Sequence, residues 1–245
     1  MNNKLTIHGR QPILEALRSA HNISEVWIAK GVEGKSIGQI KSLAKKNNLK
    51  INYIDKNEIQ KMTGPVVHQG VAAQIETTFK KPENEFSDFI AAINNPFILI
   101  LDQLQDPHNV GAILRTAEIA GVDAVILPAK GSAQLNATVA KTSAGALFHL
   151  NIFITQNLEA LLSDLNSQEI ITLALIPGSE MPMYETDLKN PVAVIVGSEG
   201  AGVRKNIANM CTGRISIPQY GKISSLNASV ATAVVLYEVI RQRKN

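Results

Sequence analysis

Residues 192–203 read VAVIVGSEGAGV, an unbroken apolar run that ends in three glycines around one carboxylate. A run that is apolar at every position, rather than at alternate ones, is a strand buried on both faces, and such strands belong to parallel sheets. The same texture recurs outward from it in FILILD (97–102), DAVILP (123–128), LNIFIT (150–155), IITLAL (170–175) and GRISIP (213–218). Helical patterns stand between these runs near 109–120, 136–144 and 157–166, and a last one covers about 225–242. Strands alternating with helices predict an α/β domain over 96–245, built on a parallel sheet with helices on both faces.

Upstream of residue 80 the chain reads as a smaller module. GRQPILEALRSA, SEVWIA, SIGQIKSLAKKN, LKINYI, KNEIQKM and GVAAQIE give helix, strand, helix, strand, short helix and strand, a second α/β domain over 1–77. TTFKKPENEFSDFIAAINNP, with its charges and prolines, suits a linker over 78–95.

At 245 residues, 45% hydrophobic and 18% charged, the chain has the composition of a soluble protein with a proper core. The 4% aromatic content argues against a broad stacking platform. Residues 1–80 carry 12 Lys and Arg against 6 Asp and Glu, and the remainder is acidic; this asymmetry fits an N-terminal module that meets a polyanion. A lone cysteine, Cys211, forms no internal disulfide and reads as core filler in a reducing compartment. The start of the sequence lacks the apolar core of a signal peptide and no stretch is long enough to span a membrane, so a cytoplasmic protein is expected. No metal-binding pattern is visible.

Ligands of open parallel sheets bind beyond the carboxyl ends of strands, which directs attention to three loops. After FILILD, Asp106 and Pro107 make a turn and Asn109 reads as an N-cap. Val110, Ile113, Leu114, Ala117 and Gly121 then form the buried stripe of a helix. Arg115 falls off that stripe on the side of Gly111 and Glu118, and periodicity alone favours a solvated arginine paired with Glu118. In the second loop the glycines allow backbone amides to approach a ligand closely, with Glu199 as acceptor or charge partner. GSEGAG does not match the dinucleotide fingerprint, and AKGVEGKS (29–36) fails as a phosphate loop because Ala29 replaces its first glycine. In the third loop Pro218 ends a strand, Gly221 permits a turn and Ser224 or Ser225 caps the final helix. Asn227 then sits in its first turn, and the small residues from Ala228 to Ala233 allow close helix packing.

NVGAILRTA (109–117), VAVIVGSEGAGV (192–203) and ISIPQYGKISSLNASVATAVVLYE (215–238) resemble, in order and spacing, the three motifs of the SpoU (TrmH-like) family of RNA ribose 2'-O-methyltransferases in the SPOUT superfamily. IHGRQPILEAL (7–17) and HQGVAAQI (68–75) are similar to the ribosomal-protein-L30-like RNA-binding module of bacterial 23S rRNA guanosine 2'-O-methyltransferases. The resemblance implies a parallel-sheet domain tied in a deep trefoil knot that holds S-adenosyl-L-methionine in a bent shape. Gly197, Ile217 and Leu226 would meet the cofactor through backbone, with Ser198, Glu199 and Pro218 lining the pocket. A β-branched side chain at position 197 would then occupy the space of the adenosine. Asn109, Arg115, Glu199, Ser225 and Asn227 match the family's functional positions: Arg115 to stabilise the attacking ribose oxygen and clamp a phosphate, Glu199 to orient Arg115 or the loop, and Ser225 and Asn227 to hold ribose or loop backbone. It further implies a homodimer through the knotted domain and an RNA substrate rather than DNA, namely a guanosine of 23S rRNA in the peptidyl-transferase P-loop. The alternatives are a tRNA ribose methyltransferase and a catalytically silent RNA-binding assembly factor.

Overall fold

The computed structural model describes residues 4–19, 21–76, 79–198 and 200–244. Along the chain run β1 (Lys4–His8), α1 (Arg10–Arg18), β2 (Ile23–Ala29), α2 (Lys35–Lys46), β3 (Ile51–Ile54), α3 (Lys56–Thr63) and β4 (Val71–Glu76). There follow α4 (Phe86–Ala91), β5 (Phe97–Asp102), α5 (Pro107–Ile119), β6 (Ala124–Pro128), α6 (Ala137–Thr142), β7 (Ile152–Thr155), α7 (Leu158–Ser167) and β8 (Ile171–Leu175). The chain ends with β9 (Met181–Pro182), β10 (Val192–Gly197), α8 (Lys205–Met210), β11 (Gly213–Ser216) and α9 (Ala228–Lys244). Two compact units result, one of Met1–Phe79 with Gln134–His149, the other of Lys80–Ala133 with Leu150–Asn245.

The smaller unit holds a four-stranded sheet in the order β1-β4-β2-β3. β4 pairs antiparallel with β1 and β2, and β2 pairs parallel with β3. Its core is formed by Ile7, Ile13, Val26, Ile28 and Ile75, all fully buried. The segment 134–149, expected to continue the C-terminal domain, clusters with this unit instead. Phe148 stands edge-on to Phe79 at 5.5 Å between ring centroids, and His149 Nε2 lies 3.0 Å from a Glu15 carboxylate oxygen. A short helix between two strands reads the same whichever body it packs on, so periodicity could not assign it.

The larger unit holds a seven-stranded sheet ordered β7-β6-β5-β10-β8-β11-β9, parallel at every pairing. β5 and β10 are buried along their whole length, which is why their sequences never alternate. β10 pairs with β5 and with β8, filling the place between two strands that precede it in the chain, and brings Gly197 opposite Asp102. The chain order therefore reverses at β5 and β10, the kind of switch point where open α/β sheets bind ligands.

The stretch expected as a linker carries a core element. Phe86, Phe89, Ile90 and Ile93 recur at helical spacing, and Phe86 and Ile90 are buried against Phe153 and the apolar face of α7. The Phe86 and Phe153 rings meet edge-on at 5.1 Å. Prolines and charges on either side hid a period that spans only two turns. Phe86→Leu is expected to cost about 1 kcal/mol, because a near-volume swap keeps burial and loses the ring pair; urea denaturation, with an unchanged slope, checks it. The far end of the chain is pinned as firmly. Arg243 on α9 donates to the carbonyl oxygens of Asn95, Pro96, Leu188 and Asn190, and its guanidinium lies 5.2 Å from the Phe97 ring centroid.

Candidate functional site

The site lies at the carboxyl ends of β5, β8, β10 and β11. β10 ends at Gly197, and the chain closes at once into a tight loop in which the Gly202 N–H donates to the Ser198 carbonyl at 2.8 Å. Gly202 has φ +66°, a conformation that favours glycine. A Cβ at Gly197 would run into backbone atoms of Gly202 and Val203. This corrects the expectation that a side chain at 197 acts by filling the adenosine space: it would first force the loop open, so Gly197 is required by the loop's own packing. Glu199 lies outside the described residues.

A fixed charge pair holds this loop to the sheet. Asp102, the last residue of β5, is fully buried and accepts from the Arg204 backbone N–H at 3.0 Å and from Arg204 Nε at 2.9 Å. An Arg204 terminal nitrogen adds an ion pair at 2.8 Å. Hydrogen bonding to Asp102 raises the Arg204 pKa above its already high value. Sequence reasoning missed both residues; the signal was an aspartate closing an otherwise apolar strand, a placement that requires a buried cationic partner.

Beneath the loop is a cavity of about 310 Å³. Its walls are Leu175 at the end of β8 with Ile176 and Pro177 beyond it, Val196 to Ser198 and Gly200 to Val203 around the glycine loop, and Ile217, Gln219, Ser224, Ser225 and Leu226 after β11. Ala228 and Ala231 of α9 complete it, so the small residues at the start of that helix serve the cavity as well as helix packing. Of the residues singled out in the sequence, Gly197, Ser198, Ile217, Ser225 and Leu226 line the cavity, whereas Pro218 does not. The wall at 175–177 went unread, although it follows a buried strand as the other loops do.

Asn109 and Asn227, 118 residues apart, meet directly: Asn227 Nδ2 donates to Asn109 Oδ1 at 3.1 Å. Neither plays the local role expected of it. The N-cap of α5 is Asp106, whose carboxylate accepts from the His108 and Asn109 N–H groups with Pro107 in the first helical position. The cap of α9 is Asn227 itself, which accepts from the Ser229 N–H at 2.9 Å, so the helix starts three residues after the expected 225. That leaves Ser224 and Ser225 free of capping duty at the cavity wall.

Arg115 projects from the exposed side of α5 and outside the cavity lining. It makes no hydrogen bond or ion pair among the described residues, so the surface pairing with Glu118 does not form. Cys211 is half-buried beside the core with its thiol donating to the Ile207 carbonyl, and burial pushes its pKa up to about 11. Because the thiolate is the reactive form, alkylation at pH 8 is expected on the order of 100-fold slower than for a free thiol, as read by mass spectrometry of the folded protein. No group of His, Cys, Asp and Glu among the described residues could hold a metal ion, and none of their helices is long and apolar enough to cross a membrane.

Comparison with known proteins gives this geometry a family. A protein of Xanthomonas campestris pv. campestris named 23S rRNA (guanosine-2'-O-)-methyltransferase RlmB is 40% identical over 225 residues, covering 91% of this chain and 90% of the relative. A crystal structure of an RNA 2'-O ribose methyltransferase superposes with a TM-score of 0.82 at 26% identity, covering 100% of this chain and 90% of its own. The SpoU methyltransferase AviRb of Streptomyces viridochromogenes, solved in complex with AdoMet, shares the fold at TM-score 0.82 and 20% identity, covering 98% of this chain and 91% of its own. Residues 6–79 match the RNA 2'-O ribose methyltransferase substrate-binding family. Residues 96–237, which hold the parallel sheet, the glycine loop and the joined asparagines, match the SpoU rRNA Methylase family, to which the chain belongs.

Proposed function

We propose that the protein transfers a methyl group from S-adenosyl-L-methionine to the ribose 2'-oxygen of a guanosine in 23S rRNA, the peptidyl-transferase P-loop being the expected place. The observation that carries the reading is the cavity: a glycine loop along one side, apolar walls from Leu175, Val196 and Leu226, and no carboxylate among its described lining residues. Apolar walls with a few fixed polar groups suit an adenosine and its sulfonium tail. The cofactor supplies an activated methyl, so the protein has only to orient the oxygen and ease the loss of its proton.

Gly197, Ile217 and Leu226 hold the cofactor through backbone, with Ser198 at its margin. The Asn109–Asn227 bond fixes α5 against the start of α9 and so sets the ribose side of the site, with Ser225 beside it. The Arg115 guanidinium, a cation with a fork of N–H donors, serves to stabilise negative charge growing on the 2'-oxygen while binding a neighbouring phosphate. The proton passes to phosphate or water. Glu199 is assigned a role in orienting Arg115 on the family resemblance alone.

Because Arg115 does not line the cavity of its own chain, we infer a homodimer in which each site is completed by the arginine of a second copy. Ile119 of α5 and Val230 and Tyr237 of α9 leave apolar surface exposed in the same unit, which favours such pairing. The placement of β10 between β5 and β8, followed by the return to β11, supports a trefoil knot in this unit. The smaller unit is proposed as an L30-like module that brings the basic excess of residues 1–80 to RNA, and a ribosomal substrate fits a cytoplasmic location.

The test is methyl transfer from labelled S-adenosyl-L-methionine to unmodified 23S rRNA and to tRNA transcripts, with the methylated nucleotide mapped. Methylation of tRNA alone would move the substrate. Failure to bind the cofactor at millimolar concentration in calorimetry would leave a silent RNA-binding factor. Removal of residues 1–80 is expected to weaken RNA binding and flatten its salt dependence while cofactor affinity persists.

A further inference from the structure

The smaller unit carries a groove of about 670 Å³ that the methyl-transfer site does not use. It runs between the start of α1, the start of α3 and the turn 66–70, and its lining includes Arg10, Lys56, Gln60, Val67, His68 and Gln69. Two stretches far apart in the chain, IHGRQ and HQGVA, are tied together there: the Arg10 N–H donates to Gln69 Oε1 at 3.0 Å, and Arg10 Nε donates to the Gln69 carbonyl at 3.3 Å.

The turn is built to a single shape. Gln69 is held at φ +57°, a left-handed conformation uncommon for a residue with a side chain. Gly70 follows at φ +77°, where a Cβ would stand 2.7 Å from Val32 Cγ2. The Gly70 N–H donates to His68 Nδ1 at 3.1 Å, which puts the proton of the neutral imidazole on Nε2. Burial first, and the charge of Lys56 second, hold the His68 pKa below its ordinary value, so it stays a neutral donor at physiological pH. Strained, over-determined turns of this kind occur at ligand clamps.

The chemistry of the lining selects the occupant. Two cations, Arg10 and Lys56, flank the groove, and no carboxylate among the described residues lines it. Asp55, the nearest acid in sequence, is turned to Lys30 at 3.2 Å. Val67, 76% exposed, adds an apolar surface to the same lining, alongside the imidazole of His68 and the side-chain amide of Gln69. A polyanion with a flat, partly apolar unit and an acceptor-bearing edge meets all three demands, whereas a duplex keeps its base faces stacked out of reach and only an unpaired base can lay a face on an apolar side chain.

We propose that this groove is a subsite for one unpaired nucleotide of the RNA substrate, its phosphate on Arg10 and Lys56, its base over Val67, and its acceptor edge toward His68 and the side-chain amides. The proposal rests on the reading of the chain as an RNA methyltransferase. It assigns to the smaller unit the reading of a splayed-out nucleotide, beyond a general attraction for charge.

The full-length protein and an unmodified 23S rRNA transcript provide the test, by filter binding over a range of salt beside the methyl-transfer assay. Val67→Asp sets a carboxylate on an already exposed position and should weaken RNA binding roughly tenfold. Lys56→Ala should weaken it about fivefold and lower the salt slope by about one. Lys45→Ala removes the same charge from the end of α2, outside the groove, and should do markedly less. Melting temperature and cofactor affinity serve as folding controls. Binding by Val67→Asp and Lys56→Ala within twofold of wild type, or an equal loss in Lys45→Ala, overturns the subsite. A wild-type protein that binds the transcript without methylating it overturns the catalytic reading, and the binding comparison then still decides the groove.

Discussion

Arg115→Ala is expected to lower single-turnover methyl transfer by 100-fold to 1,000-fold, about 3 to 4 kcal/mol of transition-state stabilisation, at saturating RNA and cofactor. The size follows from the chemistry assigned to the residue. A 2'-hydroxyl is a poor nucleophile, and charge forms on its oxygen only as the methyl moves, so a fixed cation there acts on the transition state far more than on the ground state. Stability should hardly change, because Arg115 is exposed on α5 and makes no hydrogen bond or ion pair among the described residues; a surface residue of this kind is worth about 0.5 kcal/mol at most. Arg115→Lys should recover little, since an ammonium cannot reproduce the guanidinium fork. Mixing Arg115→Ala subunits with subunits unable to bind cofactor should restore activity in the mixed dimer, as expected if each site uses the arginine of the other copy. Near wild-type turnover in Arg115→Ala would refute the role outright.

Arg204→Ala should destabilise the larger unit by about 3 kcal/mol and weaken cofactor binding at least tenfold, for a reason unrelated to catalysis. Asp102 is fully buried, and the Arg204 side chain supplies its counter-charge while the Arg204 N–H supplies a further bond. Truncation leaves a carboxylate without a charge partner in the sheet core, where breaking a buried pair costs about 3 to 5 kcal/mol; the partial exposure of Arg204 puts the expected loss at the lower end. The Gly200–Val203 wall of the cavity leads directly into this residue, so a slack anchor also loosens the loop proposed to hold the cofactor. Asp102→Asn combined with Arg204→Ala should be more stable than Arg204→Ala alone, because no uncompensated charge remains. Calorimetric unfolding and cofactor titration measure both effects, and a single variant as stable as wild type would show that the pair does not hold the loop.

The sheet and the residue types of the site are legible in the order of amino acids alone. Runs such as VAVIVG and FILILD admit burial on both faces and little else, and they became adjacent parallel strands. Glycines at 197 and 202 marked the sharp loop because few other residues tolerate its backbone. Whatever depends on partners distant in the chain was settled by the folded unit. Whether Asn109 caps its helix or joins Asn227 turns on a contact across 118 residues, and DPHN carries two equally good local caps. Asp102 and Arg204 are separated by 102 residues and acquire their meaning only when the strand that ends at Asp102 is buried. FSDFIAAI looked like a linker because its apolar period is two turns long, and only the cleft beside Phe153 makes that period a helix. Segment 134–149 has the periodicity of any short helix, and the choice of body lay with Phe79 and Glu15. Local chemistry fixes which backbone shapes each residue accepts, while burial, which sets the worth of a charge or an apolar ring, is a property of the assembled unit.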